Sequence, residues 1–300
     1  MKLIPFNARV AIAALVLGSL GSAFCVDQLS EPPIELVRRT VQREISAGNS
    51  DARFMFKDRK ETQHGSQTKL MVESREGMAG MVVAFDDKPL TREQRQAEED
   101  HLAGLVGNPE QLRRKQRSEK EDAERITRIM KALPDAFLYE SDGTEVGNQT
   151  VGKVGGQLVR LKFRPNPKYS PPTHVEQVLT GMQGYILIDP HECRIAKIDG
   201  TLSKDVGFGW GFLGHLDKGG RFMVEQAEVV KEQWEITRMS LSFTGRVLLF
   251  KGLNIKSDEV FSNFHAAPAD LTFAQAVELL KKQEAELAQI PQHSQPENQK

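Results

Sequence analysis

The segment Val159-Arg-Leu-Lys-Phe-Arg164 alternates apolar and cationic residues without a break. Successive side chains of a β-strand point to opposite faces of a sheet, so Val159, Leu161 and Phe163 share one face and the three cations share the other. The cations must face solvent, because burying three unpaired positive charges is prohibitively costly. The apolar face therefore points inward, and we expect it to line a ligand cavity rather than fill a packed core.

Further strands with short connections are predicted around this segment. Two pairs of strands flank short polar turns at residues 190–193 and 231–233, which is typical of β-hairpins. Short hairpins imply antiparallel neighbours. The sequence therefore predicts an α+β fold, predominantly antiparallel β, with a curved sheet or incomplete barrel closed by helices. The strands predicted beside 159–164 are residues 53–57, 68–73, 78–85, 184–189, 194–202, 221–230, 234–243 and 245–256, and residues 141–156 are predicted to be a loop.

Helices are predicted near both ends of the chain and in its middle. Pro33 opens the first, because proline is tolerated in a first helical turn. Thr91-Arg-Glu-Gln94 and Thr272-Phe-Ala-Gln275 have the capping-box pattern, in which both side chains satisfy backbone N–H groups at a helix start. The sequence thus predicts a charged helical insertion over residues 91–133 and a final helix after Thr272.

The most highly charged part of the insertion is residues 111–125, where cations and acids are interspersed. Such a pattern is typical of a solvated helical arm. Two more specific roles remain open, a movable lid and an arm that docks an envelope protein partner. If the segment is a docking arm, its deletion is expected to leave the melting temperature nearly unchanged.

The N-terminus has the features of a secretory signal peptide. Lys2 and Arg9 precede the apolar run of residues 10–20, and small residues follow. We predict that residues 1–25 are removed after Cys25, which makes the protein periplasmic or secreted. A lipid anchor on Cys25 is the alternative. Residues 26–290 are then expected to form one domain, with residues 291–300 as a disordered tail.

No motif in the sequence predicts catalytic residues, a metal site or a cofactor. Residues 209–214 match a dinucleotide-binding glycine pattern, but the sequence leaves no room for the helix that must follow it. Residues 191–193 are His-Glu-Cys, and adjacent side chains do not readily converge on one metal ion. Asp189 and Asp199 are expected to form turns. We therefore expect a protein that is not an enzyme, with a hydrolase of unrecognised type left as an alternative.

The β-rich half resembles the periplasmic superfamily of outer-membrane lipoprotein-sorting carriers, the proteins similar to lipoprotein localisation factors. The resemblance rests on residues 158–167, 182–190, 195–199 and 245–250, and in layout it covers roughly residues 30–265. It implies a curved antiparallel sheet whose concave apolar face binds acyl chains. The hydrophobic cavity residues expected from the resemblance and from the glycine-aromatic loop are Phe54, Phe56, Val159, Leu161, Phe163, Trp210 and Trp234.

Together these features predict an exported carrier that binds the hydrophobic groups of a lipid or lipoprotein. The alternative is an envelope protein-interaction or stress-sensor module with a filled core and no small-molecule ligand. The formal net charge of −1 gives no support for a nucleic-acid partner.

Overall fold

The computed structural model describes residues 31–48, 52–208, 214–247 and 251–289. The predicted signal peptide, the Cys25 anchor, Trp210 and the predicted tail lie outside the described residues. The helices are α1 (Pro33–Ala47), α2 (Arg92–Gly107), α3 (Pro109–Ala136) and α4 (Phe273–Gln289), and a 3₁₀ helix covers Glu176–Gly181.

Both predicted capping boxes are confirmed. At the start of α2, Gln94 N donates to Thr91 Oγ1 at 3.2 Å and Thr91 N donates to Gln94 Oε1 at 2.9 Å. Thr272 and Gln275 repeat the same reciprocal pair before α4. These local bonds fix where each helix begins, because they satisfy N–H groups that have no partner inside the helix.

The strands form a single antiparallel sheet, which confirms the predicted fold class. Its order is β4-β3-β2-β1-β13-β12-β11-β8-β7-β6-β5, with β10 paired to β12 and β9 paired to β10. The sheet is not closed into a barrel, and its two outer strands are β4 and β5. The strands are β1 (Arg53–Thr62), β2 (Gly65–Ser74), β3 (Gly77–Phe85), β4 (Lys88–Pro89), β5 (Phe137–Val146), β6 (Gln157–Pro165), β7 (Met182–Asp189), β8 (Arg194–Leu202), β9 (Val206–Phe208), β10 (Gly214–Leu216), β11 (Arg221–Val230), β12 (Gln233–Val247) and β13 (Lys251–Ala267).

Helix α3 shows that the sheet is strongly curved. Glu119 of α3 accepts a hydrogen bond from Met78 N of β3 at 3.3 Å, and α3 ends at Ala136, where β5 begins. Those 17 residues of helix span about 26 Å at 1.5 Å per residue. In the sheet, β3 and β5 are separated by nine strand spacings. In a flat sheet this separation is about 43 Å, so the sheet must bend to bring the two strands within reach of one helix.

Helices α2 and α3 also cover the outer edge of β3. Val82 N donates to Glu98 Oε1 of α2 at 2.8 Å, and Met78 N donates to Glu119 of α3. An edge strand with free N–H groups would be a template for pairing with another chain. The charged insertion therefore supplies carboxylates that satisfy the edge of the sheet.

The register defines two faces of the sheet, because directly opposed residues on neighbouring strands point to the same side. We call the face that carries Leu161 the inner face. One row of opposed residues crosses it from β6 to β2. The row is Leu161, Ile186, Ile198, Val224, Met239, Glu259, Lys60 and Gln67.

Four clusters of buried apolar residues pack on the two faces. On the inner face the main core cluster joins β5–β8 to α1 and the end of α3 through residues such as Leu161, Val37 and Leu133. The aromatic cluster of Phe54, Phe56 and Met78 lies on the same face at the other end of the sheet. On the outer face, α2 and α4 cover β2 and β3, and a smaller cluster surrounds Trp234.

A buried ion pair attaches α1 to the end of β8. Glu44 Oε1 accepts hydrogen bonds from Arg194 Nε at 3.0 Å and from Ile195 N at 2.7 Å. Both side chains are almost completely buried, so each needs the other to remain charged at acceptable cost. The pair holds α1 over the inner face of β5–β8.

Three of the differences between the structure and the sequence prediction concern where strands begin and end. Residues 141–146 were predicted to be loop but complete β5, where the acids of β5 pair with Arg160 and Lys162 of β6. Gly245 belongs to the end of β12, and β13 covers 251–267 instead of ending at residue 256. Strand β1 continues to Thr62, five residues beyond its predicted end. The added ends of β1 and β13 pair with each other far apart in the chain, so a local pattern did not reveal them, whereas residues 141–146 pair with the following strand β6.

Candidate apolar binding face

Apolar side chains remain half-exposed in the middle of the inner face. Val224 on β11, Met239 and Leu241 on β12 and Ile255 on β13 are all partly accessible and belong to none of the four clusters. The register places them side by side, with Val224 opposite Met239 and with Ile255 opposite Phe243. We call these four residues the open strip. An apolar strip of this kind is a candidate contact surface for an apolar ligand.

The open strip lies between two packed regions of the same face. On one side, Phe222 and Phe243 pack against the main core cluster. On the other side, Phe261 and Phe264 pack against the aromatic cluster, where the rings of Phe56 and Phe264 stack at 5.3 Å. The two packed regions fix the flanks of the strip, and α1 and α3 pack on the β5–β8 end of the face.

The predicted cavity residues are divided between these packed regions. Phe54 and Phe56 are buried in the aromatic cluster. Leu161 and Phe163 are buried in the main core cluster, and Val159 packs against it. Leu161 is 1% exposed, so its side chain is packed against other residues of the protein and does not line an open cavity. The alternation predicted in residues 159–164 is present, since Lys162 and Arg164 are exposed and Arg160 pairs with acids of β5.

A pair of glycines makes room for the predicted aromatic residue of β6. Gly184 and Gly200 are directly opposed on β7 and β8, next to Phe163 on β6. A Cβ on Gly200 would lie 3.4 Å from Phe163 Cζ, and one on Gly184 would lie 1.9 Å from Asp199 O. A side chain larger than alanine at Gly200 would meet the Phe163 ring, and any side chain at Gly184 would clash with the backbone of β8.

Trp234 is separated from the other predicted cavity residues. It packs with Leu158, Leu187 and Ala196, and Leu158 points to the face opposite Val159 because strand residues alternate. The Arg194 guanidinium lies over the Trp234 ring at 5.6 Å. Trp234 therefore belongs to the outer face and does not contribute to the open strip. Trp210 lies outside the described residues.

Next to the open strip, charged side chains interrupt the apolar inner face. Glu259, directly opposite Met239, is 5% exposed, and it pairs with Lys60 and accepts a hydrogen bond from Ser257 Oγ at 3.3 Å. Two residues before Lys60, Asp58 lies opposite Phe261 of β13 and Lys69 of β2. We call Asp58, Lys60, Lys69 and Glu259 the charged patch.

Asp58 is the least satisfied member of the charged patch. Its Oδ1 atom is buried without a hydrogen-bond partner. Burial and, to a lesser extent, the neighbouring Glu259 raise the pKa of the Asp58 carboxyl from 3.8 to about 6, although Lys69 and Lys60 oppose the shift. Lys69 is half-buried, and it forms no salt bridge with any acid in the part of the chain that the structure describes. The patch therefore offers one unsatisfied acceptor and one unpaired cation on adjacent strands.

The other chemical motifs of the sequence have structural partners. Asp189 Oδ1 accepts hydrogen bonds from His191 N and Glu192 N, which closes the hairpin turn. Asp199 was expected to form a turn but lies within β8, where it accepts hydrogen bonds from two guanidinium nitrogens of Arg221. Gly214 begins a strand instead of a helix, so the glycine pattern that ends there lacks the helix a dinucleotide requires.

Two kinds of feature are absent from the described residues. No group of three or more His, Cys, Asp and Glu side chains is placed to hold a metal ion within residues 31–48, 52–208, 214–247 and 251–289. None of the helices in those ranges combines the length and the apolar character that a membrane-spanning helix requires.

The charged patch and the open strip were not predicted as a site. One local signal was present, because Phe54, Phe56, Asp58 and Lys60 continue a period of two along one strand. That period places Asp58 and Lys60 on the same face as the two phenylalanines. The pairing of this strand with β13, about 200 residues later, has no counterpart in a local pattern.

The comparisons with known proteins give little further information. No family model matches the sequence, and no curated protein matches it. Among solved structures, the chain is similar to a DUF1329 family protein from Desulfovibrio piger, with 12% sequence identity and a TM-score of 0.30. That alignment covers 83% of this chain and 100% of the other. The resemblance to the lipoprotein-sorting carriers stays a prediction.

Proposed function

We propose that the protein is an exported carrier or binding protein, not an enzyme, that holds the apolar part of a lipid against the open strip. The observation that carries this proposal is the half-exposed row of Val224, Met239, Leu241 and Ile255 between two packed regions of the same sheet face. Each methylene of an acyl chain that leaves water contributes about 0.8 kcal/mol. A strip of four large apolar side chains is suited to that kind of ligand.

In this proposal the lipid binds a different part of the inner face from the one expected from the sequence. Leu161 and Phe163 are buried against α1 and α3, so they support the face and do not contact a ligand in this proposal. The ligand instead lies over β11–β13. In the described residues, the helices pack chiefly on β2, β3, β5 and β8, which leaves these central strands as the accessible part.

A matched pair of methionines tests the proposal. Met239 and Met223 lie on neighbouring strands and are similarly exposed, but they point to opposite faces, because Met239 opposes Val224. We expect a fluorescent fatty acid to bind the wild type, Met239→Gln to weaken binding roughly fivefold or more, and Met223→Gln to leave it unchanged. Equal binding by both variants, or no binding by the wild type, would contradict the proposal.

A protein-interaction module is the second candidate function, and the outer surface of α3 favours it. Arg113, Arg114 and Arg117 are exposed there on one stretch of helix. An envelope protein partner could dock on these charges without any lipid. Reversing the three charges to glutamate is expected to abolish capture of such a partner while fatty-acid binding is unchanged. Loss of lipid binding in this variant would argue against an independent docking arm.

A further inference from the structure

In a group of ion pairs with a purely structural role, every charge would have a partner. The charged patch beside the open strip departs from this arrangement. Glu259 and Lys60 pair with each other, so they satisfy their own charges. Asp58 and Lys69, directly opposed on β1 and β2, do not form the corresponding pair. A buried carboxylate oxygen without a donor is costly, and such groups are rare in folded proteins.

The position of the patch links it to the proposed ligand. Glu259 is the direct neighbour of Met239 in the open strip, Lys60 is the next residue along the same row, and Asp58 is two residues from Lys60 on the same face. Adjacent strands are about 4.8 Å apart, so the patch begins one strand away from the strip. An acyl chain on the strip would therefore place its polar end at the patch.

The unsatisfied groups specify the chemistry of that polar end. Asp58 Oδ1 requires a hydrogen-bond donor, which a primary ammonium group supplies. The Lys69 ammonium requires a negatively charged hydrogen-bond acceptor, which a phosphate supplies. The patch already contains two acids and two cations, so a ligand with no net charge leaves its charge balance intact. Lysine side chains are long and flexible, so Lys69 can move towards a phosphate when a ligand enters.

We propose that Asp58 and Lys69 form a headgroup site for a zwitterionic phospholipid with a primary ammonium group, whose ammonium bonds to Asp58 and whose phosphate bonds to Lys69. This inference rests on the proposed function, since it needs an acyl chain on the open strip. A membrane is the source of such a lipid. A choline headgroup carries the same charge but has no N–H, so it cannot satisfy Asp58.

The test compares headgroups on identical acyl chains. Delipidated full-length protein is incubated with vesicles of equal parts dioleoyl phosphatidylethanolamine, phosphatidylcholine and phosphatidylglycerol, re-isolated, and its bound lipid identified by native mass spectrometry. We expect phosphatidylethanolamine to be enriched roughly tenfold over phosphatidylcholine, the factor expected for one hydrogen bond to a charged group. Equal amounts of the two lipids on the wild type would overturn the inference.

Three variants identify the residues responsible. Asp58→Val should remove the preference for ethanolamine over choline, and Lys69→Gln should reduce all three phospholipids relative to oleate. Lys57→Gln is the matched control, because Lys57 is half-buried on the same strand as Asp58 but points to the other face. A preference that survives in Asp58→Val, or that Lys57→Gln also removes, would overturn the site.

The outcomes separate this inference from the proposed function. If the wild type takes up lipid without a headgroup preference, the headgroup site is wrong and the carrier function stands. If the wild type takes up neither phospholipid nor oleate, the carrier function itself is wrong. Melting curves of each variant show whether it is folded, and Lys69→Gln still tests the site if Asp58→Val does not fold.

Discussion

At the scale of single residues, Asp58 has the most direct consequence for stability. Its carboxyl is largely buried beside Glu259, which raises its pKa from 3.8 to about 6, although Lys69 and Lys60 oppose the shift. Because the folded state binds the proton more tightly than the unfolded state, folding takes up a proton between these two pKa values. The stabilising contribution is complete below about pH 4 and is lost as the pH rises through about 6.

Asp58→Asn should remove this pH dependence, because an amide does not titrate. The unfolding free energy of the variant minus that of the wild type should increase by roughly 3 kcal/mol as the pH rises from about 4 to about 7. Urea unfolding at several pH values measures the difference, and Asp270→Asn, at an exposed position, is the control that should follow the wild type. A constant difference across this range would show that the Asp58 carboxyl titrates normally.

Two leucines of the inner face should respond differently to truncation. Leu161 is 1% exposed within the main core cluster, so Leu161→Ala opens a void and should cost about 2–5 kcal/mol of unfolding free energy. Leu241 is half-exposed beside the open strip's other members, so Leu241→Ala should cost clearly less and should weaken fatty-acid binding. Denaturant unfolding and a fluorescence titration measure both effects. The reverse order of stability losses would contradict the assignment of packed and open regions.

At the scale of secondary-structure elements, helix α3 is more than a solvated arm. Leu112 packs against the cluster under α4, Gln116 donates to Glu76 O at 2.8 Å, and Glu119 and Asp122 are buried. The outer surface of the helix is exposed and carries most of its charged residues. Deletion of residues 111–125 is therefore expected to destabilise the protein, in contrast to the expectation for a free docking arm.

Glu119→Ala isolates the contribution of α3 to the sheet edge. The substitution leaves Met78 N without its acceptor and removes the partner of Lys115, so it should cost about 1–3 kcal/mol. Glu121→Ala, on the exposed surface of the same helix, should stay within about 0.5 kcal/mol of the wild type. Thermal or urea unfolding of the two variants gives the comparison. Equal effects would mean that the Glu119 contact does not hold α3 to β3.

The sequence was informative for elements with local signals. Capping boxes located the starts of α2 and α4, and polar turns located two hairpins, because a few adjacent residues determine each feature. It was less informative for β1 and β13, because each extends by pairing with the other, far away in the chain. Lys60 and Glu259 illustrate the limit, since 199 residues separate two side chains that pair across neighbouring strands.

At the scale of the whole molecule, the pairing of β13 with β1 and the placement of the helices produce the candidate site. Strand β13 returns to pair with β1, and this pairing joins the aromatic cluster to the strands that carry the open strip. Helices α1 and α3 fill the β5–β8 end of the inner face, while α2 and α4 cover the outer face of β2 and β3. The same arrangement that builds the cores therefore leaves β11–β13 accessible on one side.

Ligand binding on β11–β13 should stabilise the entire fold. A ligand that binds only the folded state at a concentration about 100 times its dissociation constant adds about 2.7 kcal/mol to the unfolding free energy. For a protein of this size, that gain should raise the melting temperature by roughly 4–5 °C. Differential scanning calorimetry with and without oleate measures the shift.

The variant Met239→Gln distinguishes this linkage from a general effect of fatty acid on the protein. Met239 is half-exposed and lies in none of the packed clusters, so the ligand-free melting temperature should change little. The shift caused by oleate should become smaller, because it depends on affinity for the open strip. Met223→Gln, on the outer face, should retain the full shift. If all three proteins gain the same stability from oleate, the fatty acid binds elsewhere and the open strip is not the lipid site.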